Sequence, residues 1–211
     1  MNAMEKHIAS LVQDAGQVQS APSPLRLWLK WMGVAAVYIA LSLVILGVRP
    51  DLLAALHNGL FAAEILLLIG IVATTALSAT LLAFPDMYQH SRLVLAPIVM
   101  FVLFIGVIFL AWQADNPPAP PPVHSFECSL TIAVLALLPA AWMFYSMRRL
   151  ASTHRRSAGV VVMLAAFSIG AITLRLSEQT NSIMHVIEWH YVPMIVVALL
   201  GVWLGKVLLR W

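Results

Sequence analysis

Six apolar stretches, each close to the roughly 20 residues that a helix needs to cross a hydrocarbon core, limit what this chain can fold into more than any other feature. They lie at residues 27–48, 59–84, 93–112, 128–147, 158–176 and 186–209. In lipid every backbone N–H and C=O must find an internal partner, which leaves only helices and closed barrels. The runs lack the apolar/polar alternation of barrel strands, so the pattern predicts helices. Between them stand clear breakers: Arg49, Pro50 and Asp51; Pro85 and Asp86; a proline run at 116–122; and a basic stretch from Arg148 to Arg156. The faintest boundary is the polar interval 177–182 between the fifth and sixth stretches. The fold class expected is an all-α integral membrane protein, a bundle of six transmembrane helices.

Composition agrees. At 62% hydrophobic and 10% charged residues, with mean hydropathy +0.92, the chain is far from soluble globular usage. Its pI of about 9.4 reflects an excess of only 12 Lys+Arg over 9 Asp+Glu. Those basic residues flank the apolar runs, which marks topology and points away from direct nucleic-acid binding. Ten of the twelve fall on one side if the runs alternate, leaving Arg49 and Arg175 on the other. The positive-inside rule then places both termini in the cytoplasm.

The chain divides into a segment at 1–26 and a membrane domain at 27–211. No short apolar core with a small-residue cleavage site precedes Leu27, so no signal peptide is expected. Within the first segment Met4, Ile8, Leu11, Val12 and Ala15 recur at helical spacing opposite Glu5, Lys6, Gln13 and Asp14, the pattern of a short amphipathic helix. Such a face fits the membrane surface or a partner's groove. Pro22 and Pro24 give the remainder of the segment the character of an extended spacer.

Chemistry-bearing residues gather on the side away from the termini. Glu64 lies about two turns into the second stretch, Glu188 and His190 open the sixth, and His57, His124, Glu127, Cys128 and His185 stand at loop edges. His124 and Cys128 are four apart, which aligns them on one face if helix reaches that far. A mixed imidazole, thiol and carboxylate set suits Zn or Cu, while satisfaction by water, lipid headgroups or neighbours is the plainer expectation. The single cysteine excludes an intrachain disulfide and a cysteine-only metal site. Glu64 reads as half of an interhelical pair with Arg49, Arg175 or His190. Pro97, Pro139 and Pro193 read as kinks, and Gly201 with Gly205 as a close helix contact. The serines form no triad, the glycines no phosphate loop, and nothing points to an enzyme.

Several of these residues together resemble the six-helix membrane anti-sigma regulators of the NrsF type, the negative regulators of sigma F. The resemblance is carried by Ile8 to Asp14 ahead of prolines, the run Gly47 to Leu52 with its Arg49-Pro50-Asp51, Glu64, Pro85, Cys128 with Pro139, Arg148 and Arg149, Glu188-Trp189-His190, and the ending from Gly201 to Arg210-Trp211. It implies a protein of the bacterial inner membrane that holds an extracytoplasmic-function sigma factor and releases it on stress. The partner would sit on the face of Ile8, Leu11, Val12 and Ala15. Sensing would fall to the opposite end, among Cys128, His124, His185, His190, Glu188 and Glu64. The resemblance also implies a second cysteine after the fifth helix, where this chain has Ser177; sensing would then rest on thiol plus imidazole. Besides the lipid bilayer, the sigma factor is the partner expected. The competing expectation is a small transporter or a metal- or redox-binding membrane protein using Glu64, Glu188 and His190.

Overall fold

The structure is a computed structural model that describes residues 2–14, 22–84, 91–114, 125–150, 152–180 and 182–210. Among these the chain is helical throughout, with no strand. A short α1 (Ala3–Asp14) precedes α2 (Pro24–Leu46), α3 (Leu52–His57), α4 (Gly59–Leu82), α5 (Ser91–Val94), α6 (Ala96–Ala114), α7 (Phe126–Met147) and α8 (Arg155–Ser177). The last span begins with a single turn, α9 (Ile183–His185), widens into a π-helical turn at Val186–Tyr191, and continues as α10 (Pro193–Leu208). Six segments, α2, α4, α5 with α6, α7, α8 and α9 through α10, are long and apolar enough to cross a bilayer. The chain is a multi-pass membrane protein.

Local chemistry sets several ends. Ser23 caps α2, its hydroxyl accepting from Arg26 N at 3.4 Å, with Pro24 in the first turn. Residue 24 is therefore helical and not part of the spacer expected from sequence, because a proline at the first helical position forfeits no hydrogen bond. The same helix stops at Gly47, whose φ of +84° only glycine adopts without strain. Asn58 caps α4 by accepting from Leu60 N at 3.0 Å and Phe61 N at 3.4 Å. The interval 49–58, between the first two apolar stretches, contains α3.

The bundle has a centre. In α8 and α4, 72% and 61% of the most apolar window is buried, against 11% for α5 with α6, so the first two are core and the last faces lipid. Leu27, Leu82, Met147, Ala158 and Leu209 share one cluster, which brings the start of α2 and the end of α10 to the same end of the bundle. Ser152 closes that end, its hydroxyl donating to Leu82 O at 2.8 Å.

Close approach of α8 to α10 depends on glycine. A Cβ on Gly159 would stand 2.1 Å from Gly201 O, and one on Gly205 would stand 2.2 Å from Arg155 O. The Gly201/Gly205 pair thus packs within the chain, backbone on backbone, as small residues do in membranes.

All three intramembrane prolines follow one rule. A proline cannot donate to the carbonyl four residues earlier, and an unmet carbonyl in lipid costs several kcal/mol. Pro139 frees Leu135 O, which accepts from Tyr38 Oη at 2.8 Å. Pro193 frees Trp189 O, which accepts from Ser129 Oγ at 2.5 Å. Pro97 breaks the third span between α5 and α6, where Ser78 Oγ donates to Val94 O at 3.0 Å and lies 3.5 Å from Leu93 O. Each break is tied down by a hydroxyl from another helix, so these prolines also fix which helices neighbour which.

Candidate functional site

Pro193 does more than kink the last span. Its ring cannot follow the turn before it, and the chain relaxes into the π-helical turn, with Val192 N donating to Ile187 O at 2.9 Å. In an ordinary helix His185 and His190, five apart, would point roughly 140° away from each other. The wider turn brings them to the same side, their ring centroids 5.2 Å apart and nearly perpendicular. Both are buried, at 2% and 0% exposure.

Facing them is the carboxylate of Glu178, just past the end of α8. His185 Nε2 lies 3.5 Å from Glu178 Oε1 and His190 Nε2 lies 3.2 Å from Oε2. Cys128, in the first turn of α7, completes the group: its thiol donates to Glu178 at 3.6 and 3.8 Å. One donor atom from each of Cys128, Glu178, His185 and His190 lies within 4.8 Å of every other. The Thr180 hydroxyl steadies the carboxylate, donating to Oε1 at 2.6 Å. Burial works to raise the Glu178 pKa, but the facing His190, the Thr180 hydroxyl and the nearby His185 outweigh it and hold the carboxyl at about 2. It is an anion at any physiological pH. Neither imidazole makes a hydrogen bond through either ring nitrogen, an exception for buried polar atoms.

A second polar cluster adjoins the first. Glu64 on α4 and Arg175 on α8 form a bidentate pair, Nε to Oε1 at 2.7 Å and Nη2 to Oε2 at 2.9 Å. Tyr191 adds its hydroxyl to Glu64 Oε1, and Arg175 Nη1 donates to Thr180 O at 3.0 Å. The Phe61 ring lies 4.9 Å from the Arg175 guanidinium and 5.2 Å from that of Arg49, both within cation–π range. Arg49 N donates to Leu176 O at 3.0 Å, meeting one of the carbonyls that the end of α8 leaves open. The Arg49 side chain grips Asp51 through two bonds of 2.8 Å, and that guanidinium lowers the Asp51 carboxyl below its usual range.

The sequence-derived candidates therefore separate. Cys128, His185 and His190 come together. Glu64 belongs to the neighbouring pair, with Arg175 as its partner among the three that were open. Glu188 is exposed and stands outside both clusters, because the π-helical turn that gathers the histidines carries residue 188 outward. His124 and Ala15 lie outside the described residues. Ile8, Leu11 and Val12 are more than half exposed on α1. Sequence reasoning missed Glu178, treating 177–182 only as a boundary. The signal was its position, one residue beyond the place where the NrsF resemblance implies a second cysteine. Ser177 itself turns away, its hydroxyl donating to Leu174 O at 3.0 Å, and the Glu178 carboxylate meets the Cys128 thiol instead.

Set against known proteins, residues 11–211 match the family model described as NrsF, negative regulator of sigma F. Comparison with the curated proteins and with the solved structures gave no match.

Proposed function

The chain belongs to the NrsF family of negative regulators of sigma F, and from that premise we propose that it holds an extracytoplasmic-function sigma factor at the bacterial inner membrane and releases it when a stress reaches the opposite end of the bundle. Its termini face the cytoplasm in this reading, supported by the basic residues at the ends of α2, α7, α8 and α10. The observation that carries the contact is α1. Ile8, Leu11 and Val12 form an apolar face that is exposed, and an amphipathic helix of this kind docks in a partner's groove. Ala15 continues the same face in sequence. Reception falls to the cluster of Cys128, Glu178, His185 and His190, which lies at the other end and ties α7, α8 and the last span together.

The transporter reading loses its main support. It needs Glu64, Glu188 and His190 on one path, whereas Glu64 is bound on both oxygens by Arg175 and Glu188 is exposed outside both clusters.

Co-purification tests the proposal. Tagged full-length protein extracted in detergent is expected to carry a sigma factor. A triple variant, Ile8→Ser, Leu11→Ser and Val12→Ser, is expected to insert normally and lose it. Retention of the sigma factor by that variant would move the contact elsewhere, and the four-arginine stretch at 148–156 would be tested next. Absence of any sigma factor from well-folded wild-type protein would sink the reading.

A further inference from the structure

We infer that Cys128, Glu178, His185 and His190 form a four-coordinate site for a borderline divalent cation of the zinc class. The inference stands on the geometry of these side chains and does not rest on the sigma-factor reading.

Spacing comes first. Tetrahedral zinc bonds of about 2.0–2.3 Å set neighbouring donors roughly 3.3–3.8 Å apart. The carboxylate lies 3.6 Å from Cys128 Sγ, 3.5 Å from His185 Nε2 and 3.2 Å from His190 Nε2. Small side-chain adjustments would bring all four donors onto one ion.

The second observation is independent of spacing. His185 and His190 are buried beyond nine-tenths; each Nε2 faces Glu178 without making a hydrogen bond, and neither Nδ1 has a hydrogen-bond partner. Buried polar atoms left this way are costly. A cation accepting a lone pair from each ring would give both Nε2 atoms, and the carboxylate they face, one common partner.

Charge and ligand type then choose the ion. Binding requires loss of the Cys128 thiol proton. Thiolate and carboxylate together carry two negative charges and neutral imidazoles none, so a divalent ion leaves the site neutral, as an apolar bundle demands. Calcium and magnesium prefer six or more oxygen ligands. One sulfur, two nitrogens and one oxygen suit zinc, which imposes no geometry from its d electrons. Since the protein fills all four positions, no open site remains for a reacting water. The ion would act as a clamp across α7, the end of α8 and the last span.

The test uses full-length protein, purified in detergent and stripped with a chelator, titrated with Co²⁺ as a spectroscopic probe and then with Zn²⁺. Equimolar Co²⁺ uptake is expected, with strong visible bands of a tetrahedral ion and a near-ultraviolet thiolate charge-transfer band, all abolished by Zn²⁺. Cys128→Ser should lose the charge-transfer band, and His190→Gln should weaken Co²⁺ binding by more than about a hundredfold, exceeding the usual effect of removing an outer partner. If the variants fail to fold, the wild type still decides: Zn²⁺ should protect Cys128, the one thiol in the chain, from maleimide. Helical, monodisperse wild-type protein that takes up neither ion would overturn the inference. So would Co²⁺ binding with weak octahedral bands and a Cys128 that labels equally fast with and without Zn²⁺.

Discussion

The two polar clusters are built from the same two stretches of chain. Arg175 and Glu178 lie three apart at the end of α8, and His190 and Tyr191 are consecutive in the π-helical turn, yet the clusters handle polarity in an apolar bundle in opposite ways. In the first, Glu64 receives Arg175 on both oxygens with Tyr191 added, and Arg175 also reaches Thr180 O and Phe61. Its groups are paired. In the second, a carboxylate faces two imidazoles that make no hydrogen bond. The difference teaches how to read intramembrane charge: a pair bonded on both sides holds helices in register, whereas a donor set whose rings make no hydrogen bond is the place to test for a bound ion. Thr180 joins them, giving its carbonyl to Arg175 and its hydroxyl to Glu178.

The sharpest test of this contrast is stability. Arg175→Met leaves Glu64 buried without its counter-ion and should cost about 3–5 kcal/mol, the usual penalty for breaking a buried pair. Unfolding in detergent micelles followed by circular dichroism would measure it. The double variant Arg175→Met with Glu64→Leu should recover most of the loss, since an apolar replacement of both partners is often neutral. If the single variant is as stable as wild type, the pair is not structural and the contrast fails.

Next in size is the contact that sets the last span against α8 and so places both clusters. Gly159→Ala drives a methyl into Gly201 O and the Gly205 backbone. Backbone on both sides cannot move aside, so a loss of about 1–3 kcal/mol is expected. The same experiment should show no comparable loss for Gly106→Ala, where nothing lies within 4 Å.

Ser129→Ala separates the clusters more finely. It deprives Trp189 O of its partner, at about 1–3 kcal/mol for an unmet buried acceptor, and it frees the π-helical turn that aligns His185 with His190. Stability should fall modestly while Co²⁺ affinity falls with it. Since the two bonds between Glu64 and Arg175 are made by α4 and α8, outside that turn, the register of these helices, reported by cysteine cross-linking between them, should not change.

Much of this architecture was legible in the sequence, and the reasons are physical. Apolar runs of bilayer length define spans almost unaided, because lipid leaves so few alternatives. Glu64 was legible as half of a pair because a carboxylate at that depth needs one. Which partner it takes was not, since Arg49, Arg175 and His190 all reach the same end once the helices pack. The π-helical turn was illegible for a different reason. Pro193 announces a disturbance, but whether a helix kinks, breaks or widens depends on what meets the freed carbonyl, here a serine 60 residues away. Glu178 was missed because its importance comes only from that widened turn, which brings His190 round to it. Residue 188, equally acidic and nearer to the histidines in sequence, is carried out of the cluster by the same turn.

The smallest effect is the most discriminating, because it depends on the metal. In chelator-treated protein, His190→Met replaces a buried imidazole that has no hydrogen bond with an apolar side chain of similar length. Removing an unmet polar group from an apolar site relieves its desolvation penalty, and a flexible thioether fills irregular space well. Loss of the His190 contact to Glu178 opposes that relief, so the metal-free variant should lie within about 1 kcal/mol of wild type, while its Co²⁺ binding collapses. With Zn²⁺ present the wild type should be clearly the more stable, because a ligand that binds only the folded state adds stability in proportion to the logarithm of its excess over Kd, and only the wild type can gain it. Thermal unfolding of both proteins, with chelator and with Zn²⁺, gives the four values required. A variant less stable than wild type in both conditions by the same margin would mean that His190 is a packing residue, and the two clusters would then be alike.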